Sequence, residues 1–211
     1  MVATITTHDI FCYIPNIIGY VRVATAIVSF FTMKEHPYYT LVLYGVLSIL
    51  DAFDGYAARK FNQGTRFGAV LDMVTDRCAT LSLIVFLAVL YPQYYVAWQV
   101  LVSLDLASHY VHMYSLLALG LTSHKNVDGQ LKLLQLYYTN RTVLFIVCAF
   151  NELFYFGLYL HYFNFAIFGT GMTIVLTPFW IFKQVANVIQ LKNASVTLAE
   201  LDAKDRNKQQ N

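Results

Sequence analysis

The sequence predicts an all-α, polytopic membrane protein with six transmembrane helices and a short N-terminal juxtamembrane segment. Three observations carry that prediction. First, 58% of the 211 residues are hydrophobic and only 12% are charged, about half the charge usual in soluble domains. Second, six apolar stretches recur, at roughly 16–33, 38–58, 68–91, 94–119, 141–160 and 165–190. Each is long enough to cross about 30 Å of hydrocarbon, the longer ones with tilt. Third, the period-two alternation of a membrane barrel is absent, so the backbone must satisfy its own hydrogen bonds within helices.

The elements follow in order. The opening "MVATITTHDIFCYIPN" lacks a basic region and a small-residue cleavage site, so the first apolar segment is expected to be retained. Pro15-Asn16 opens span one, and "KEHP" (34–37) separates spans one and two. The stretch "KFNQGTRF" (60–67) is short and contains Gly64, which makes spans two and three neighbours. "YPQYY" (91–95) is a tight turn before span four. Residues 120–140 form a longer polar connection whose tail is predicted to lie on the membrane surface as an amphipathic helix. From Lys192 the chain is polar and charged. The expected organisation is a six-helix membrane domain over 1–191 and a polar cytoplasmic tail over 192–211.

Orientation comes from basic residues. Arg59, Lys60 and Arg66, then Lys125, Lys132 and Arg141, then Lys192, Lys204, Arg206 and Lys208 all fall on one side, and the opposite loops hold only Lys34. The positive-inside rule puts both termini in the cytoplasm. Both N-x-S/T sequons, at Asn140 and Asn193, then face the cytoplasm and are expected to carry no glycan. A net charge of +2 is too small to indicate nucleic acid. Cys12, Cys78 and Cys148 are widely spaced in apolar runs and read as free, buried thiols.

Four carboxylates stand out against this background. Asp51 and Asp54 are three residues apart, with Ala58 continuing their stripe, and Asp72 and Asp76 are four apart, with Gly68 one turn before. Each pair therefore lies on one helical face. A carboxylate at the bilayer centre costs about 2.5–3.5 kcal/mol on insertion scales, so four must pair, bind cations or face water. All-oxygen ligands suit hard divalent ions, Mg²⁺ or Mn²⁺, and four carboxylates suit two of them. Paired ions serve phosphoryl chemistry. Arg59 can neutralise phosphate, and Gly55, Ala58 and Gly68 leave room for close approach. Two other readings remain at this point: structural ion pairing with Arg59, Arg66 and Arg77, and a cation-transport site, for which Glu152 is the main further acid.

The pattern Asp51-x2-Asp54-Gly55-x2-Ala58-Arg59-x8-Gly68-x3-Asp72-x3-Asp76 resembles the signature of the CDP-alcohol phosphotransferases at all eight positions and both gaps. The longer stretch "DGYAARKFNQGTRFGAVLDMVTDR" is similar to the eukaryotic phosphatidylinositol synthase branch of that family. So are "SHK" (123–125), "YYTNR" (137–141) and "NELFY" (151–155). The resemblance covers most of the chain and implies six helices, usually in a homodimer, in the endoplasmic reticulum membrane. It implies an enzyme that uses CDP-diacylglycerol and myo-inositol and releases CMP. By the same resemblance Asp51, Asp54, Asp72 and Asp76 hold two Mg²⁺ or Mn²⁺ ions. Asp76 is also the general base, and Gly55, Arg59 and Thr65 contact the CDP part of the donor. A sister enzyme with another alcohol acceptor is the nearest alternative.

Fainter candidates complete the reading. Lys125, Arg141, Asn151 and Glu152, with His124 and Asn140, are polar positions near the same membrane face and could shape an inositol pocket. Asn16 and Arg22 are candidates for the border of the nucleotide cleft. The pair His109 and His112 reads as packing.

Overall fold

The computed structural model describes residues 5–119, 140–163 and 165–210, excepting the side chains of Arg141 and Gln210. Every regular element among them is helical. The chain is an all-α, polytopic membrane protein. It divides into two compact units, residues 1–82 and 83–211.

The first unit begins with a single turn, α1 (Thr7–Phe11). A reciprocal cap builds it: Asp9 N–H donates to Thr6 Oγ1 at 3.3 Å, and Thr6 N–H donates to Asp9 Oδ2 at 2.7 Å. The Thr6 hydroxyl also donates to Asp9 Oδ2 at 2.7 Å, and this bond together with that from Thr6 N–H holds the Asp9 carboxyl below the usual carboxylate range. Helix α2 (Ile14–Thr32) carries Pro15 in its first turn, where a missing N–H costs nothing. Helix α3 (Pro37–Lys60) starts the same way and ends on Arg59 and Lys60, whose charges suit its carbonyl end. The turn that follows relies on Asn62 rather than Gly64: Asn62 takes the left-handed conformation at φ 51°, which asparagine tolerates better than most residues. Helix α4 (Arg66–Leu90) is then capped by Thr65, whose Oγ1 accepts from Gly68 N–H at 2.9 Å.

Packing in this unit uses small residues. Ala26, Leu47 and Ala79 form a buried cluster shared by α2, α3 and α4. Tyr44 Oη–H donates to the Ala79 carbonyl at 3.2 Å. A Cβ at Gly19 would sit 2.8 Å from Leu71 Cδ2, so glycine sets how closely α2 approaches α4.

In the second unit a short 3₁₀ turn (Pro92–Tyr94) leads into α5 (Tyr95–Ala118), followed by α6 (Arg141–Tyr162) and α7 (Ala166–Gln210). Asn140 Oδ1 caps α6 by accepting from Thr142 N–H and Val143 N–H at 2.9 and 3.3 Å. The predicted surface helix in the preceding connection lies outside the described residues. Helices α6 and α7 meet almost backbone to backbone. A Cβ at Gly169 would lie 2.4 Å from the His161 amide nitrogen and 2.7 Å from the Gly157 carbonyl oxygen. Close contact of this kind is how helices associate where lipid removes the hydrophobic drive. Gly169→Ala is expected to cost about 1–3 kcal/mol through forced separation. Gly171→Ala, with nothing within 4 Å of its added methyl, is the neutral control. Thermal unfolding in detergent checks the pair; equal midpoints would refute the tight-contact account.

Five described helices, α2, α3, α4, α6 and α7, are long and apolar enough to cross a membrane. Helix α5 has the length, about 36 Å at 1.5 Å per residue, but Asp105, His109 and His112 fall within it. The surface is correspondingly oily: Phe31 is 83% exposed and Ile167 93%. This corrects the expectation for the thiols. All three cysteines are free, but Cys12 and Cys78 are exposed and Cys148 only half-buried. In a lipid-facing chain an apolar neighbourhood does not imply burial.

Candidate metal centre and donor cleft

The four carboxylates come from two helices and meet around one side chain from a third. Asp51 and Asp54 lie near the end of α3, Asp72 and Asp76 in the first turns of α4, and Arg22 in the middle of α2. The tight turn after α3 is what sets the two acidic faces side by side. The Arg22 side chain has no solvent exposure. Its Nη2 reaches Asp51 Oδ1 at 2.6 Å and also contacts Asp76 Oδ1. Its Nη1 reaches Asp72 Oδ1 at 2.7 Å and also contacts Asp54 Oδ2. Each terminal nitrogen thus joins one carboxylate of α3 to one of α4. Ion pairing with Arg59, Arg66 and Arg77 was the structural alternative; the residue that reaches all four is Arg22, a candidate only for the cleft border on sequence grounds.

The cluster fits a divalent ion. Asp51, Asp72 and Asp76 each offer an oxygen, all within 4.8 Å of one another. The donor set is all oxygen, which favours hard cations over zinc. Four carboxylates converge on Arg22, an accumulation of negative charge that a divalent ion would offset. The pair His109 and His112 belongs to no such cluster among the described residues.

A small cleft adjoins the carboxylates. Asp54, Asp72, Gly55, Thr65, Gly68 and Asn16 all line it, so two of the three residues expected to contact the donor face the same space as two of the aspartates. The third, Arg59, lays its guanidinium beside Gly55, where a Cβ would come within 3.3 Å of Nη1. Gly68 is needed for room: a Cβ there would sit 2.8 Å from Asn16 Oδ1 and 3.1 Å from Thr65 Oγ1. Asn16 is buried and its Nδ2 donates to the Ile10 carbonyl at 2.6 Å. That bond leaves Oδ1 without a hydrogen-bond partner. A buried, unsatisfied oxygen beside a cleft that two carboxylates also line is a candidate ligand contact.

The remaining candidates belong to the second unit or lie outside the described residues. Lys125 and His124 lie outside the described residues, and Arg141 begins α6 with an undescribed side chain. In the second unit Asn151 is buried, and its Oδ1 accepts from Gln184 Nε2 at 3.1 Å. Glu152 is half-buried. The same unit holds a buried polar group that sequence reasoning passed over. Asp105 of α5 accepts from Asn187 Nδ2 of α7 at 3.5 Å, and His109 Nδ1 lies 3.7 Å from the same carboxylate oxygen. A carboxylate midway along an apolar run was the available signal.

Comparison with known proteins decides the family. Residues 12–199 match the family described as CDP-alcohol phosphatidyltransferase.

The chain belongs to that family.

Among curated relatives, a Candida albicans protein named CDP-diacylglycerol--inositol 3-phosphatidyltransferase is 67% identical over 205 residues, covering 97% of this chain and 89% of its own. Proteins of the same name from Saccharomyces cerevisiae and Homo sapiens are 56% and 45% identical, over 96% and 95% of this chain and 93% and 98% of theirs. No solved structure matches.

Proposed function

We propose that this enzyme transfers the phosphatidyl group of CDP-diacylglycerol to myo-inositol, giving phosphatidylinositol and CMP. One observation carries the acceptor assignment: near-full-length relatives of that name at 67%, 56% and 45% identity. Asp51, Asp54, Asp72 and Asp76 would hold two ions, Mg²⁺ or Mn²⁺. When bound, such ions draw charge from a diphosphate and improve CMP as a leaving group.

The protein's own groups do the rest. Thr65 Oγ1 accepts from Gly68 N–H, which leaves its hydroxyl proton to donate to a donor phosphate. The Arg59 guanidinium, next to Gly55, supplies positive charge to the same phosphates. Gly55 and Gly68 keep the backbone low enough for the nucleotide to approach. Asp76 takes the proton of one inositol hydroxyl as that oxygen bonds to the lipid-bearing phosphorus. The bond from that phosphorus to the bridging oxygen breaks, and CMP carries the electron pair away. Lys125, Arg141, Asn151 and Glu152 are the candidates for holding the polyol. The reading includes a homodimer in the endoplasmic reticulum membrane, as the family resemblance implies; the basic residues clustered on one side support its orientation, with both termini and the site cytoplasmic.

CMP release from CDP-diacylglycerol tests the proposal, with purified protein in mixed micelles and inositol, glycerol 3-phosphate, choline or serine as acceptor. Release that depends on inositol is expected. Equal release with another alcohol would move the protein to a sister activity, and none with any acceptor would remove the enzymatic reading.

A further inference from the structure

Arg22 reaches all four carboxylates but has no other polar anchor: its Nε, also buried, has no hydrogen-bond partner among the described residues. A buried guanidinium normally spreads its five donors over several kinds of partner. Here every bonded donor goes to a residue of the metal cage. The side chain also enters from α2, the one helix of the three that contributes no carboxylate.

We infer that Arg22 is the built-in counter-ion of the metal-free cage, a positioning residue that holds the four carboxylates together until divalent ions replace it as their main source of positive charge. The inference rests on reading the aspartates as the metal ligands. Its sign follows from linkage. Without ions, Arg22 touches all four carboxylates; Asp54 is buried and the other three are partly exposed, and like charges that lose their shared partner repel one another. With ions bound, the same carboxylates are already neutralised and the guanidinium is repelled by the added charge. Arg22 therefore stabilises the metal-free state more than the loaded one, and whatever favours the empty form of a site weakens ligand binding to it. The guanidinium keeps the cage assembled in the absence of metal and keeps the ions exchangeable.

The test measures metal binding and stability without substrate. Wild-type protein, Arg22→Gln and Arg22→Lys are titrated with Mn²⁺ by calorimetry, and unfolding midpoints are read in chelator and in saturating Mn²⁺. In Arg22→Gln the midpoint should fall steeply in chelator and little in metal, and Mn²⁺ should bind about tenfold tighter, within the usual range of site-to-site coupling. Arg22→Lys keeps the charge and should lie between. An equal drop in both conditions, or weaker Mn²⁺ binding, overturns the inference. A variant that folds only when metal is supplied supports it. Should neither variant fold, ¹⁵N spectra of arginine side chains in the wild type decide: the Arg22 Nη resonances must move as Mn²⁺, or diamagnetic Mg²⁺, is added, and unmoved resonances overturn it. Wild-type protein that binds neither ion refutes the metal reading itself, whereas wild-type binding without the variant effects refutes only the role of Arg22.

Discussion

Asp76→Asn is expected to stop turnover, by about a thousandfold or more, while the protein still binds CDP-diacylglycerol. The substitution changes one oxygen to nitrogen and keeps the shape. It removes the one property the step needs, a carboxylate able to take a proton from a hydroxyl that is far too weak an acid to ionise unaided near neutral pH. General-base contributions alone are typically 10²–10⁴-fold, and a weakened metal cage adds to the loss. The helix should survive: Thr80 Oγ1 bonds the Asp76 backbone carbonyl at 3.0 Å, which the change leaves untouched. Donor binding should persist because the cleft is lined by Asp54, Asp72, Gly55 and Thr65 rather than by Asp76. Single-turnover CMP release and equilibrium binding of CDP-diacylglycerol separate the two effects. Wild-type turnover in this variant would remove Asp76 from the proton-transfer step.

Chelation should have an effect of similar size. Protein dialysed against a strong chelator is expected to release no CMP above background, and Mg²⁺ or Mn²⁺ to restore it. Two ions per site also predict a shape: at low metal the rate should rise more steeply than in proportion to concentration. A simple hyperbola would argue for one ion, and full activity after dialysis would sink the metal assignment. The convergence of four carboxylates supports a strong dependence, since their mutual repulsion is what a divalent ion would relieve.

Much of this was legible before any coordinates, for a physical reason. Lipid forces each crossing segment to be apolar and helical, so helix positions follow from hydropathy; α3 and α4 were expected at 38–58 and 68–91 and run over 37–60 and 66–90. The aspartates were legible because helical spacing alone sets each pair on a face. Arg22 was harder. Within "GYVRVATA" it was legible only as a candidate for the border of the nucleotide cleft, although a charge in an apolar helix must have a partner. Which helix cannot be read from spacing, since three-dimensional neighbours in a bundle carry no fixed sequence offset. Asp105 escaped for the same reason: its partner Asn187 is 82 residues away.

The last helix has a mechanical consequence. Helix α7 runs for 45 residues, with Pro178 inside its apolar part, about 68 Å at 1.5 Å per residue, more than twice the hydrocarbon thickness. The polar stretch after residue 190 is therefore a stiff mast welded to a membrane-crossing segment rather than a loose tether. A rod of about 30 Å amplifies small movements at its root: a tilt of about 10° would swing its tip by about 5 Å. Anything fused to the carboxyl end would ride on that lever and would report the leaning of the segment below.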